Sequence, residues 1–240
     1  MASALTVRGS RLVAAALVLL ASVAARAEVL RFEFTGEIES TFGVIGATPA
    51  SAFDGAPFAG YTHFDSTTPD AFPASPNDGI YPMEIPPGAF HAQVGGAAFD
   101  APVFEFAIAN DSTVFSGADL MSIQAMQAFD YPGVAGEHVT VFSITLFDTA
   151  GAVFTSAALP TVPPDLAAFA DPAESRSFSI QGCGDANFSG GSCASFDFIL
   201  TGDLVSFTLP EASGAGVAGA LSLAALARRR ARFRRCSTNP

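Results

Sequence analysis

Cys183 and Cys193 stand with nine residues between them in Gly182-Cys183-Gly184-Asp185-Ala186-Asn187-Phe188-Ser189-Gly190-Gly191-Ser192-Cys193. Two thiols at that spacing can hold a metal as thiolates or oxidise to a disulfide. No histidine or further cysteine accompanies the pair, so a disulfide closing the Gly-rich loop is the simpler reading. A loop this short gives a bridge worth about 2–3 kcal/mol in the chain-entropy account. Cys236 lies in a basic tail, apart from this pair.

Asp65, Asp70 and Asp78 fall in one Pro-rich stretch that begins Phe64-Asp65-Ser66-Thr67-Thr68-Pro69-Asp70. Hard carboxylate oxygens on a loop suit calcium, and these three are the candidate calcium ligands. Their spacing matches no EF-hand, and Asp beside Ser, Thr or Pro is also ordinary turn chemistry. No other cofactor or metal is expected. His63, His91 and His138 lie in strand-like runs, away from any sequence nucleophile. There is no Gly-x-Ser-x-Gly elbow, no His-Glu-x-x-His helix and no phosphate-cradling loop. Carboxylate pairs are abundant in so acidic a chain, so their presence does not single out a glycosidase. No catalytic residue is assigned, and the chain reads as a non-enzyme.

The elements that must position these residues are strands. Arg31-Phe32-Glu33-Phe34-Thr35-Gly36-Glu37-Ile38-Glu39 puts Phe32, Phe34 and Ile38 on one face and polar groups on the other, the period of a half-buried strand. The pattern returns over residues 58–65, 90–94, 103–109, 139–147, 177–181 and 195–209, with Phe104-Glu105-Phe106 and Phe196-Asp197-Phe198 its clearest short cases. Asp54-Gly55, Asn77-Asp78-Gly79, Pro86-Pro87-Gly88, Gly95-Gly96 and Pro132-Gly133 supply the turns between them. Residues 65–85 and 157–173 are Pro-rich, and both are expected to be long loops. The fold expectation is all-β: an antiparallel β-sandwich of jelly-roll type over residues 28–209, its core made from most of the 23 phenylalanines.

Composition narrows function by exclusion. The chain has 240 residues, no tryptophan and no lysine, with 50% hydrophobic residues and 22 Gly. Disorder and a helical bundle are both excluded by that balance. Between Glu28 and Glu211 only Arg31 and Arg176 oppose all 23 acidic residues, a net charge of −21. Such a surface repels nucleic-acid phosphates and anionic lipid, so nucleic acid is not a partner.

Both ends read as processing signals. Arg8 and Arg11 form a basic segment, Leu12 to Ala25 an apolar one, and Ala25-Arg26-Ala27 a small-x-small cleavage site, the three parts of a secretory signal over residues 1–27. Its apolar part would span roughly 21 Å as a helix, short of the roughly 30 Å of bilayer hydrocarbon. At the other end, Leu209-Pro210-Glu211 precedes the small, apolar run Ala212 to Ala227 and then Arg228, Arg229, Arg230, Arg232, Arg234 and Arg235. A short apolar transmembrane helix followed by arginines is retained in the membrane with the arginines inside. Residues 210–240 therefore read as a C-terminal sorting signal.

This layout resembles the bacterial PEP-CTERM proteins: signal peptide, acidic β-rich ectodomain, Pro-Glu, short apolar helix, Arg cluster. Phe32 to Ser40, followed by Phe58-Ala59-Gly60-Tyr61-Thr62-His63-Phe64-Asp65-Ser66-Thr67-Thr68-Pro69-Asp70, is similar to the opening common in that group. Gly79-Ile80-Tyr81, Val94-Gly95-Gly96 and Ala109-Asn110-Asp111 continue it in order. The resemblance implies transient insertion in the inner membrane, recognition by an exosortase-like sorting protease, cleavage, and delivery to the cell surface or the exopolysaccharide matrix of a biofilm. Pro210 and Glu211 would be the recognised pair, preceded by Leu209, and Arg228, Arg229 and Arg230 the start of the stop. The chain departs from the pattern in having Ala212 at the third position and five residues after the arginines. Leu209-Pro210-Glu211-Ala212-Ser213 also looks like a degenerate sortase signal. The alternative function is a secreted carbohydrate-binding module or glycan hydrolase on the same jelly-roll scaffold, since fold alone does not choose between them.

Overall fold

The computed structural model describes residues 28–83, 88–169 and 175–210. The signal, including Ala25 and Ala27, and the sorting segment from Glu211 onward, including Arg228, Arg229 and Arg230, lie outside the described residues. Among the described residues no helix is long and apolar enough to cross a membrane.

The chain is all-β. Its strands are β1 (Val29–Ile45), β2 (Thr48–Pro49), β3 (Pro57–Asp65), β4 (Asp78–Met83), β5 (Ala89–Val94), β6 (Ala97–Ala101) and β7 (Phe104–Ser112), then β8 (Ala118–Ala125), β9 (Phe129–Asp130), β10 (Glu137–Asp148), β11 (Ser175–Gly184), β12 (Phe188–Ser189), β13 (Ser192–Cys193) and β14 (Phe198–Thr208). Ten of these form one antiparallel path, β4-β7-β8-β10-β11-β14-β1-β3-β5-β6, with β2 and β9 added to β1 and β10. The first long strand, β1, pairs with the last, β14, at the middle of that path.

Ring contacts show that the sheet curls around one core. Phe64 of β3 meets Phe106 of β7 at 4.6 Å, and Phe90 of β5 stacks on Phe142 of β10 at 4.2 Å. Phe58 of β3 stacks on Phe178 of β11 at 4.3 Å. These strands are not neighbours in the sheet, so rings from its two halves meet only if the halves face each other. Register breaks in β1 against β14, β10 against β11 and β7 against β8 supply the bends that such closure needs.

Small residues make room for the rings. Gly36 lies opposite Phe58, Gly60 opposite Phe34, and Gly182 opposite Phe198. A Cβ on each glycine would meet the ring across from it and a neighbouring backbone carbonyl oxygen. The phenylalanine ring folds over the bare glycine backbone, covering what the glycine cannot.

Three departures from the sequence reading have physical causes. The stretch 65–85 is not wholly loop, because it contains β4. There Gly79, Tyr81 and Met83 face inward, and Pro82 is tolerated because β4 is an edge strand paired only with β7. β8 was not apparent because both its faces are covered: Ala118, Asp119, Met121, Ser122 and Ile123 are all buried, and no alternation results. The run 195–209 begins as a strand only at Phe198. Phe196 is 39% exposed and Asp197 lies in a bend, so Phe196-Asp197-Phe198 is not one strand segment.

Candidate functional site

The disulfide loop is held from both sides. Cys183 at the end of β11 is bonded to Cys193 in β13, with 5.9 Å between their Cα atoms. Asp197 accepts the backbone N–H of Gly184 at 2.9 Å and the side-chain amide of Asn187 at 2.8 Å, which ties the loop to the start of β14. His138 hydrogen-bonds Asp130 through Nδ1 (3.1 Å) and Asp185 through Nε2 (2.8 Å), and its ring stacks on Phe188 at 4.0 Å. This arrangement is a clasp. Its contacts are internal.

Two expected results follow from the clasp. Reduction of the exported protein should raise its intact mass by about 2 Da, and Cys183→Ala with Cys193→Ala should cost about 2–3 kcal/mol in chemical unfolding. Two thiols open to alkylation before reduction would contradict the bridge. The second concerns acid. The Asn187 amide, and then the Gly184 N–H, hold the Asp197 carboxyl below the usual carboxylate range. Its stabilising effect is thus present above the unfolded-state value of about 3.9 and is lost as pH falls through the lower folded value. Acid titration of Asp197→Asn, followed by circular dichroism, should lose part of the steepness seen below about pH 4 in the parent chain. An unchanged curve would contradict it.

The calcium candidates serve separate turns. Asp65 Oδ1 accepts from the Thr67 hydroxyl at 2.7 Å and from its N–H at 2.8 Å, and these bonds lower its pKa. Asp70 Oδ1 accepts the N–H groups of Phe72 and Ile80 at 2.8 and 3.0 Å, which stitches the loop to β4. Asp78 Oδ2 accepts from Ser75 Oγ at 2.9 Å. Among the described residues no group of three or more His, Cys, Asp or Glu side chains could hold a metal ion.

The outer face of β1, β3, β5 and β6 carries what sequence inspection did not assemble. Side chains of one phase along these strands point away from the core, and the register lines them up. Glu33, Tyr61, His91 and Asp100 sit directly opposite one another in turn, and Arg31 sits opposite His63. Arg31 places its guanidinium carbon 4.2 Å from the Tyr61 ring centroid, while Nη2 binds Glu33 Oε1 at 2.8 Å. Tyr61 stacks on His91 at 5.1 Å, and His91 Nδ1 meets Asp100 Oδ1 at 2.7 Å. A ladder of charge, ring and charge therefore crosses four strands.

Burial and then the Arg31 charge push His63 down from its ordinary value, so this imidazole is neutral at pH 7. Of the three tyrosines, Tyr81 and Tyr131 are buried, and burial pushes the Tyr131 phenol up to about 12. Only Tyr61 lies on the outer face. The available signal was the rarity of these types. Apart from Arg176, Arg31 is the only arginine or lysine between residues 28 and 211, and it falls in the outward phase of its strand, as do Tyr61, His63 and His91.

Beside the ladder lies a cleft of about 570 Å³. The next outward row, Ser206, Thr35, Ala59 and Gln93, crosses β14, β1, β3 and β5, and Thr35 Oγ1 is fixed by a 2.6 Å bond to Ser206 Oγ. Thr35, Glu37 and Gln93 give the cleft its polar groups, and Val205, 70% exposed, one apolar wall. Leu209 and Pro210, the first sorting residues, follow the end of β14 and are exposed.

Compared with known proteins, the chain matches no family model, no curated protein and no solved structure.

Proposed function

We propose that this chain is an exported, non-enzymatic protein of the cell surface or extracellular matrix. In this reading residues 1–27 direct secretion, residues 28–209 form the displayed domain, and residues 210–240 form a PEP-CTERM-like signal read by an exosortase-like protease. The curled sheet is then a sandwich of jelly-roll type, with the phenylalanine core between its two facing halves.

The observation that carries the proposal is the bridge between Cys183 and Cys193. Structural disulfides persist in oxidising compartments and are rare where thiols are kept reduced. A −20 domain between an apolar segment with a small-x-small site and an apolar segment with an arginine stop agrees with the same route. The hydrogen bonds of His138 and of the three loop aspartates are structural, which supports a display role over catalysis.

The test is a deletion. Removal of residues 212–240 should send the protein into the medium with its unfolding midpoint unchanged, because the last strand ends at Thr208 and Pro210 cannot donate to a sheet ladder. Retention of the truncated protein in the cytoplasm would contradict export, and its retention in the inner membrane would contradict the assignment of the tail as the anchor.

A further inference from the structure

We infer that the outer cleft of β14, β1, β3 and β5 binds a neutral, hydroxyl-rich glycan chain. The inference rests on the proposed export, since such a polymer is met outside the cell.

Four features of the cleft favour that occupant. Its size, about 570 Å³, lies within the range of small-ligand sites. Its polar groups are one hydroxyl, one amide and one carboxylate, from Thr35, Gln93 and Glu37. Sugar hydroxyls both donate and accept, as do the amide and hydroxyl, while the carboxylate accepts strongly. The cleft also has an apolar part, Ala59 and the exposed Val205, against which the C–H face of a sugar ring can lie. Last, it carries no free cation. Arg31 is engaged by Glu33 and Tyr61, Arg176 is engaged by Asp203, and the surrounding domain of residues 28–209 is −20. A polyuronate, a phosphate polymer or a nucleic acid would be repelled.

The ladder lies in the register row beside this cleft, on the same outer face. Tyr61 is held between Arg31 on β1 and His91 on β5, and His91 is fixed by Asp100. Strands lie about 4.8 Å apart, so Thr35 and Gln93 stand two strands apart with Ala59 between them, beside the row Glu33-Tyr61-His91. A chain running across the strands can use several of them at once. Binding side chains that are already ordered lose little entropy when they engage a ligand.

Native gel electrophoresis of the exported protein tests this directly. Gels would contain hydroxyethylcellulose, dextran or galactomannan as neutral polymers, and alginate as a polyuronate. At least one neutral polymer should slow the protein twofold or more, and alginate should not. Gln93→Ala, and Ala59→Arg, which fills the cleft from an exposed position, should each reduce the retardation at least fivefold without moving the unfolding midpoint. Retardation by none of the three neutral polymers would overturn the inference, as would retardation by alginate, or equal retardation of both variants. If the protein is exported and not retarded, only the glycan site fails. If it is found unexported in the cytoplasm, the proposed function fails first.

Discussion

Gly60→Ala is expected to lower the unfolding midpoint by about 10 °C. Gly60 lies in β3, between β1 and β5, with the fully buried Phe34 ring directly opposite. A Cβ there would collide with that ring and with the carbonyl oxygen of His91. The ring is locked in turn: Phe34 contacts Phe58, Phe90 and Phe178 at 6.1–6.5 Å. The carbonyl belongs to the β3–β5 ladder and cannot move without breaking it. Overpacking a closed core typically costs 1–3 kcal/mol, and a clash with backbone sits at or above the upper end, so about 3 kcal/mol is expected. For a domain of this size each kcal/mol shifts the midpoint by about 3 °C. Gly36→Ala and Gly182→Ala meet the same two kinds of obstacle and should behave alike. Ala59→Ser, one residue away but facing out, should move the midpoint by less than about 2 °C. A midpoint for Gly60→Ala within that same small range would show that the rings do not pack over the glycines as described.

Asp119→Ala should destabilise the fold by about 2–4 kcal/mol. The Asp119 carboxylate is completely buried, yet it is not an isolated charge. Oδ1 accepts the N–H of Asp111 at 2.9 Å, and Oδ2 accepts those of Val153 and Phe154 at 2.8 and 2.6 Å. One side chain thus joins the end of β7 to the loop after β10. Asp148 repeats the device nearby, accepting the N–H groups of Ala150 and Ala152 at 2.7 and 2.8 Å. Alanine at 119 leaves three partly buried N–H groups without their acceptor, each costing about 1–3 kcal/mol less whatever water recovers. Asp119→Asn keeps one acceptor oxygen and should fall between parent and alanine. Urea unfolding of the three proteins gives the ranking. Equal midpoints for parent and Asp119→Ala would mean the carboxylate does not hold the loop.

Much of the sheet was legible because its inward positions are phenylalanines at a period of two, as at Phe32 and Phe34 or Phe104 and Phe106. β4 hid its alternation in Gly79, Tyr81 and Met83, residue types that carry little strand signal, and placed a proline among them. β8 lost its alternation because Ala118 and Ser122 in one phase are buried together with Asp119, Met121 and Ile123 in the other. The disulfide was legible from spacing and composition. The outer ladder was not, although each member stood in the outward phase of a strand that could be recognised. Its assembly depends on lateral register, which pairs Tyr61 with Glu33 on one side and with His91 on the other across about thirty residues of sequence each way. Periodicity tells which face a residue takes, but it does not say which residue stands beside it.

Export followed by removal of the tail is the centre of this account, and peptide mapping of the protein recovered from the cell surface addresses it most directly. The mature chain should begin at Glu28, carry the Cys183–Cys193 bridge, and yield no peptide from Ser213 to Leu226. Recovery of those tail peptides in the released, surface-associated form would contradict sorting by cleavage, and would leave a protein anchored in the membrane by its own C-terminal segment.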